Sequence, residues 1–359
     1  MKVITSRYCS RDLSFDLARA IAIFMVIYWH VMSYRYGFDL MAMPSLATNF
    51  IIAVNMPLFF MVSGYFSRQL HYSSSWGRLG NRLISYFWPM AVFALLFTCI
   101  DAIGFRKFQM SQIPLRTLKN FLFADWFFHA LAICDGITFM ACLCKRYWLR
   151  VLICALGFVI CLVGSGRLWY VGSVVQMIFF YWFGFYGLPK ILNRRYILTG
   201  MALLGGIVLI VVTYFYGNIA TNGLSFYWDR FDVFQPQIDK VVNMVMRFCV
   251  GVLGSLFIVW ILRIGIKLFP WLVRLAFLGR ETLGIYFLQG GMIGYLVVPF
   301  VGLDAGVEVL LLTSIGIFLL TFLIVKALKI NEYVSSVMYG CKIFGQSAQS
   351  RKINIPSNI

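Results

Sequence analysis

Long apolar runs separated by short polar connections make up most of this chain. A helix that crosses a bilayer needs about 20 mostly apolar residues, and the sequence contains ten segments of about that length. They lie at 13–34, 47–67, 83–104, 126–144, 149–166, 168–188, 196–216, 241–262, 281–301 and 306–326. The pattern therefore predicts an all-α integral membrane protein, a bundle of about ten transmembrane helices.

The connections are too short to hold a separate soluble domain. The longest outer connections that the pattern predicts are 105–125 and 217–240, and a polar stretch follows the last apolar run. We therefore expect one membrane domain over residues 1–330 and a polar cytoplasmic tail over residues 331–359. The first apolar run is long and has no small-residue cleavage site after it, so we interpret it as a retained signal-anchor.

Composition and charge exclude several classes of protein. The chain has 359 residues, of which 61% are hydrophobic, and a formal net charge of +18. This apolar content is well above that of soluble domains, so a water-soluble fold is excluded. The basic residues fall between the apolar runs, and roughly two thirds of them lie on one side if both termini are cytoplasmic. We expect no nucleic-acid partner, because no aqueous segment carries a basic patch.

The first apolar run carries three ionisable residues, and such groups inside a bilayer are costly and mark function. Arg19 and His30 are eleven residues apart, which places them on one helix face with a rise of about 16 Å between them. Asp16 precedes Arg19 by three residues, a spacing that allows an ion pair. Taken separately, Asp16 and Arg19 could be an ion pair that anchors the helix at the membrane interface, and His30 could be a hydrogen-bonding residue that faces the bundle. Together on one stripe they indicate a site.

Polar residues also cluster near the predicted cytoplasmic ends of the next two helices. Ser63 and Arg68 lie at the end of a helix that also contains Pro57 and Gly64, and these two residues either open the helix locally or serve close packing. At the start of the third helix, two arginines lie four residues apart on one face, at positions 78 and 82. Either membrane anchoring or anion binding would explain these two arginines.

Two acidic residues stand at or near membrane depth, Asp135 and Glu281. We expect each to pair with one of the arginines at positions 19, 247 and 280, and Asp135 has no assigned role. The nine cysteines lack metal-ligand spacing, so no metal is expected. Neither a phosphate-binding glycine-rich loop nor a nucleophile elbow occurs.

Several of these segments, in this order, resemble acyltransferase family three, the ten-helix membrane acyltransferases that include bacterial surface-polysaccharide O-acetyltransferases. The matching features run from about residue 11 to 290 and are Asp16, Arg19 and His30; NMPLFFMVSGY; Arg78 and Arg82 before Pro89; ADWFFHAL with Trp126 and Phe127; YWFGFYGLP; and LGRETLGIYFLQ. The MPLFF wording is closest to the branch described as fucose acetylase-like. Gln289 and Asp125 depart from the pattern, because many members carry His at both positions.

The resemblance implies transfer of an acyl group, most often acetyl from acetyl-CoA, to a hydroxyl of a lipid-linked or surface glycan in the bacterial inner membrane. We expect His30 to act as general base, with Arg19 and Asp16 on the same helix as further catalytic residues. Donor phosphates would bind the arginines at positions 19, 68, 78 and 82. Substrate contacts are expected at Ser63, Trp126 and Glu281, and membrane lipid is a further partner.

Two alternatives remain open at this point. A non-catalytic transporter or flippase of a lipid-linked sugar would also line its path with intramembrane charges. The other multi-spanning class of acyltransferase uses a membrane histidine too, but that histidine lies late in the chain. Direct transfer and a transient acyl-histidine are equally compatible with the sequence.

Overall fold

The computed structural model describes residues 12–36, 45–71, 76–105, 108–123, 125–164, 169–215, 237–297 and 306–340. Several sequence features lie outside these ranges. They are the basic segment before residue 12, most of the predicted connection 217–240 and the tail beyond residue 340.

Helices account for nearly all of the described residues. They are α1 (Leu13–Arg35), α2 (Ser45–His71), α3 (Trp76–Ile103), α4 (Ile113–Phe123), α5 (Trp126–Leu143), α6 (Tyr147–Gly164), α7 (Trp169–Trp182), α8 (Leu188–Leu192), α9 (Arg195–Phe215), α10 (Gln237–Leu268), α11 (Thr282–Met292), α12 (Val307–Ile330) and α13 (Glu332–Tyr339). A π-helical turn, Phe183–Gly187, joins α7 to α8, another, Ile293–Val297, extends α11, and a 3₁₀ segment, Pro270–Arg280, follows α10.

The all-α membrane bundle is confirmed. Within the described ranges, nine helical segments are long and apolar enough to cross a membrane. The predicted span 281–301 corresponds to α11 and its π-helical turn, which together are shorter than a standard span before the undescribed residues 298–305 begin. Helices α6 and α7 are separate, as predicted, and pack against each other.

The predicted connection 105–125 contains a helix that the apolar pattern did not indicate, α4, which packs along α3. Asn120 donates a hydrogen bond from Nδ2 to Thr98 Oγ1 at 3.0 Å, and the ring of Phe121 lies 6.2 Å from that of Phe87. The end of α4 therefore reaches the middle of α3. The chain pattern missed α4 because the helix is short, amphipathic and basic.

Helix α2 is continuous through Pro57, so of the two alternatives, local opening and close packing, the structure favours close packing. A Cβ on Gly64 would lie 2.0 Å from the Tyr181 carbonyl oxygen, and one on Gly184 would lie 1.9 Å from the Met61 carbonyl oxygen. Glycine at both positions lets the backbone of α2 touch the backbones of α7 and of the π-helical turn that follows it. This contact brings the end of α7 to the middle of the bundle.

Helix α1 is the centre of the bundle. It begins after Asp12, whose side chain accepts the Ser14 backbone N–H at 3.1 Å and so caps the helix. It packs against α2, α10, α11, α12 and the 3₁₀ segment. A Cβ on Gly279 would lie 1.7 Å from the Asp16 carbonyl oxygen. The 3₁₀ segment therefore reaches α1 by backbone contact, which carries the start of α11 to the residues around Asp16.

The predicted polar tail begins with a helix that packs on the bundle. Asn331 caps α13 by accepting the Tyr333 backbone N–H at 2.8 Å, and Gly340 ends it in the left-handed region at φ 68°. Trp88 on α3 donates from Nε1 to the Val337 carbonyl oxygen at 2.7 Å. The polar composition therefore concealed a helix attached to α3.

Candidate functional site

A cavity of about 480 Å³ lies among α1, α2, α3, α5 and α11. Its wall combines three arginines, small hydroxyl or amide groups and a set of aromatic rings. The lining residues are Arg19, Phe59, Ser63, Phe66, Arg78, Asn81, Arg82, Ser85, Tyr86, Phe127, Phe128, Leu131, Thr282, Leu283 and Tyr286. Four of the residues expected from the sequence thus meet here, namely Arg19, Ser63, Arg78 and Arg82.

Arg19 connects the two helices that face each other across the cavity. Its Nη2 donates a hydrogen bond to Thr282 Oγ1 at 2.9 Å, at the first residue of α11. Asp16, one turn earlier and wholly buried, has its Oδ2 3.8 Å from Arg280 Nε. The sequence suggested a pair between Asp16 and Arg19 along α1. The structure also gives each of them a partner that is distant in the chain: Thr282 at the start of α11 for Arg19, and Arg280 at the end of the 3₁₀ segment for Asp16.

Arg82 lines the cavity and also belongs to a hydrogen-bonded cluster that extends behind the wall to Asp135. Its Nε lies 2.7 Å from Asp135 Oδ2 and 2.6 Å from the Tyr86 hydroxyl. The expected partners of Asp135 did not include Arg82, so that expectation is corrected by this ion pair. Helical spacing supports the geometry on α3, because Arg82 and Tyr86 are four residues apart.

Aromatic rings close the inner part of the cavity. Phe127 and Phe128 at the start of α5 lie 5.2 and 5.0 Å from the Tyr286 ring on α11. Trp126 stands behind them, stacked on Phe60 at 6.5 Å and edge-on to Phe127 at 6.3 Å. Trp126 therefore supports the wall through Phe127, while its neighbours line it.

His30 does not appear among the described residues that line the cavity. It lies eleven residues beyond Arg19 on the same stripe of α1, about 16 Å along the axis. The cavity and His30 are thus arranged along one helix face. Arg68 is also outside the lining, five residues after Ser63 on α2.

Glu281 is next to the cavity residue Thr282 but makes its ion pairs with α12. Its Oε1 lies 2.8 Å from Lys326 Nζ, and its Oε2 pairs with Lys329. The partners expected from the sequence were arginines, so this expectation is corrected. Lys326 and Lys329 lie three residues apart at the end of α12, where two cations can reach one carboxylate.

Sequence reasoning missed Tyr86, Thr282 and Tyr286 as cavity residues. Tyr86 could have been found, because it lies one turn after Arg82 on the face already singled out. Thr282 and Tyr286 sit on one face of α11 by the same spacing. What the sequence lacked was the contact between α11 and α1. In the part of the chain that the structure describes, no group of three or more His, Cys, Asp or Glu side chains could hold a metal ion.

Comparisons with known proteins identify the family. Searches of curated proteins and of solved structures gave no match. The model of acyltransferase family 3, described as an acyltransferase domain, matches residues 12–328, a range that includes the whole cavity lining. This multi-pass membrane protein therefore belongs to acyltransferase family 3.

Proposed function

We propose that the protein transfers an acetyl group from acetyl-CoA to a hydroxyl of a cell-surface or lipid-linked glycan in a bacterial inner membrane. The observation that carries the proposal is the cavity, in which Arg19, Arg78 and Arg82 from two helices converge on one space. Coenzyme A carries phosphate groups, and arginine binds phosphate through charge-assisted hydrogen bonds. Family membership supplies the acyl-transfer reaction class.

The shape of the donor fits the arrangement along α1. Its pantetheine arm is long and thin, with a reach comparable to the rise of about 16 Å between Arg19 and His30. The aromatic residues Phe127, Phe128 and Tyr286 provide an apolar surface beyond the arginines for that arm. A donor bound at the arginines could then present its thioester near His30.

The proposed chemistry needs one base. The acceptor hydroxyl oxygen attacks the thioester carbonyl carbon while the His30 imidazole takes the hydroxyl proton. The carbon–sulfur bond breaks, and coenzyme A leaves as a thiolate that takes the proton back from the imidazolium. Asp16 and Arg19 hold the start of α11 against α1 at the other end of the stripe.

The test is transfer of label from [acetyl-¹⁴C]acetyl-CoA to glycan in membranes that contain the protein, with release of coenzyme A measured in parallel. The wild type should label glycan, and His30→Gln should lower the rate about 10²- to 10⁴-fold, the usual cost of removing a general base. Surface-glycan mass spectrometry with and without the protein would then identify the acceptor.

His129→Gln is the matched control, because it makes the same chemical change at a histidine on α5 that lies outside the cavity lining. His129 Nδ1 contacts the Asp125 carbonyl oxygen at 3.0 Å, a contact that a glutamine amide can replace. A wild type that neither labels glycan nor releases coenzyme A would favour a transporter, which needs no thioester. Normal transfer by a well-accumulated His30→Gln protein would remove His30 as the base.

A further inference from the structure

Asp135 is a wholly buried carboxylate in an otherwise apolar part of α5. It accepts hydrogen bonds from side chains of three other helices. Its Oδ2 accepts from Arg82 Nε at 2.7 Å and from the Tyr86 hydroxyl at 3.2 Å. Its Oδ1 accepts from Ser67 Oγ at 3.1 Å and from the Tyr181 hydroxyl. One carboxylate thus joins α2, α3, α5 and α7.

These contacts indicate that the Asp135 side chain is ionised. A carboxylate with donors at both oxygens has no need of its own proton, so Asp135 is the anionic partner of the Arg82 cation. A buried charge is tolerated when it is paired and hydrogen-bonded. Because donors from several helices hold both oxygens, the carboxylate cannot turn without breaking contacts on more than one helix.

The orientation of Arg82 follows from the fixed carboxylate. Both hydrogen bonds that the structure describes for Arg82 leave from Nε, one to Asp135 and one to Tyr86. Holding Nε sets the plane of the guanidinium, and the Nη groups are the further donors of that plane. Arg82 and Tyr86 both line the cavity, whereas Asp135 lies behind them.

We infer that Asp135 is a positioning residue, which holds the Arg82 guanidinium so that its Nη groups bind a phosphate of the acyl donor. This inference rests on the proposed function and deepens it, because it assigns the phosphate end of the donor to Arg82. Asp135 does not contact the donor. A purely structural role would instead affect every donor alike.

The experiment compares two donors that differ in phosphate. Acetyl-CoA carries phosphate groups, and acetylpantetheine has the same thioester arm without any. Asp135→Asn keeps the side-chain size and removes the charge. We expect it to raise the KM for acetyl-CoA about tenfold or more, the value of one charge-assisted hydrogen bond. The KM for acetylpantetheine and the kcat with either donor should change less than about twofold.

Thr138→Val is the matched control on the same helix. Thr138 is buried one turn after Asp135 and accepts a hydrogen bond from Trp182 Nε1 on α7 at 3.0 Å, so the change removes another buried contact between α5 and α7. It should leave the ratio of the two KM values as in the wild type. Equal increases in both KM values for Asp135→Asn would overturn the inference.

A second variant decides the matter if Asp135→Asn fails to accumulate. Arg82→Lys keeps the positive charge but removes the planar group that Asp135 orients. The inference then requires a raised KM for acetyl-CoA with an unchanged KM for acetylpantetheine, and an unchanged KM for acetyl-CoA contradicts it. Failure of the proposed function looks different, because the wild type would then release no coenzyme A from acetyl-CoA.

Discussion

Helices α1 and α6 are both apolar enough to cross a membrane, yet their surroundings are opposite. In α1, 72% of the most apolar window is buried inside the protein, whereas in α6 the share is 6%. Helix α1 carries Asp16, Arg19 and His30 along its length. The apolar run of α6 carries no Asp, Glu, Lys, Arg or His after Arg150.

The contrast shows where a membrane helix can hold charge. At the centre, other helices supply partners, as Thr282 does for Arg19 and Arg280 does for Asp16. On α6, Ile160 and Val163 are 70% and 78% exposed, and lipid offers no hydrogen bonds. Of these two helices, only α1 holds charged side chains within its apolar run, and substitutions in α1 and its contacts should cost more than the same changes in α6.

The largest difference should appear at two glycines. Gly279→Ala puts a Cβ 1.7 Å from the Asp16 carbonyl oxygen, a backbone atom that cannot move without shifting α1. We expect almost no folded protein, because overpacking against backbone is among the severe destabilising changes. Detergent-solubilised yield and gel-filtration profile measure this.

The peripheral counterpart is Gly157→Ala on α6, where the new Cβ lies 2.7 Å from the Ile137 side chain. A side chain can change its position, so this variant should accumulate with only a partial loss. Similar yields for the two variants would mean that the 3₁₀ segment can move away from α1 at little cost.

The next difference concerns two isoleucines. Ile23 in α1 is fully buried, and Ile23→Ala should lower the free energy of unfolding by about 2–5 kcal/mol, as cavity-forming changes do. In Ile160→Ala on α6, lipid chains can fill the space that the side chain vacates, so we expect the free energy of unfolding to fall by less than about 1 kcal/mol. Thermal inactivation of the two variants in the same detergent measures this difference. Equal midpoint temperatures for Ile23→Ala and Ile160→Ala would contradict the interpretation that α6 faces lipid.

A third difference separates two arginines. Arg19→Ala removes the cavity arginine that bonds to Thr282, and we expect the KM for acetyl-CoA to rise about ten- to hundredfold. Arg150→Ala in α6 removes a contact from Nε to the Cys144 carbonyl oxygen and should leave that KM unchanged. Equal increases in the donor and acceptor KM values for Arg19→Ala would instead indicate a structural role.

The smallest effect is expected for substitution of Glu281. Glu281→Gln weakens the pairing with Lys326 and Lys329, and because Lys326 is 46% exposed the loss should be about 1 kcal/mol in the free energy of unfolding. The KM for the glycan acceptor tests the other role predicted for Glu281, substrate binding. A raised acceptor KM with unchanged stability would support that role, and lowered stability alone would leave the ion pairs as its explanation.

Local periodicity determined much of this protein. Apolar runs of spanning length require helices in a bilayer, because every backbone N–H and C=O must bond within its own segment. The same periodicity placed Arg19 and His30 on one face of α1, and it placed Arg78 and Arg82 on one face of α3. These are properties of a single helix, so the sequence of that helix is sufficient to state them.

Tertiary structure decided which helices meet. Arg82 and Asp135 are 53 residues apart, Lys326 and Glu281 are 45 apart, and Arg19 and Thr282 are 263 apart. Helix α4 lies along α3, and glycines at 64 and 279 bring backbones together, through contacts that no repeat along the chain encodes. A charged side chain inside the membrane requires a partner, but the sequence offers many candidates. Only the packing of helices selects one, because hydrogen bonds form over about 3 Å and depend on which faces touch.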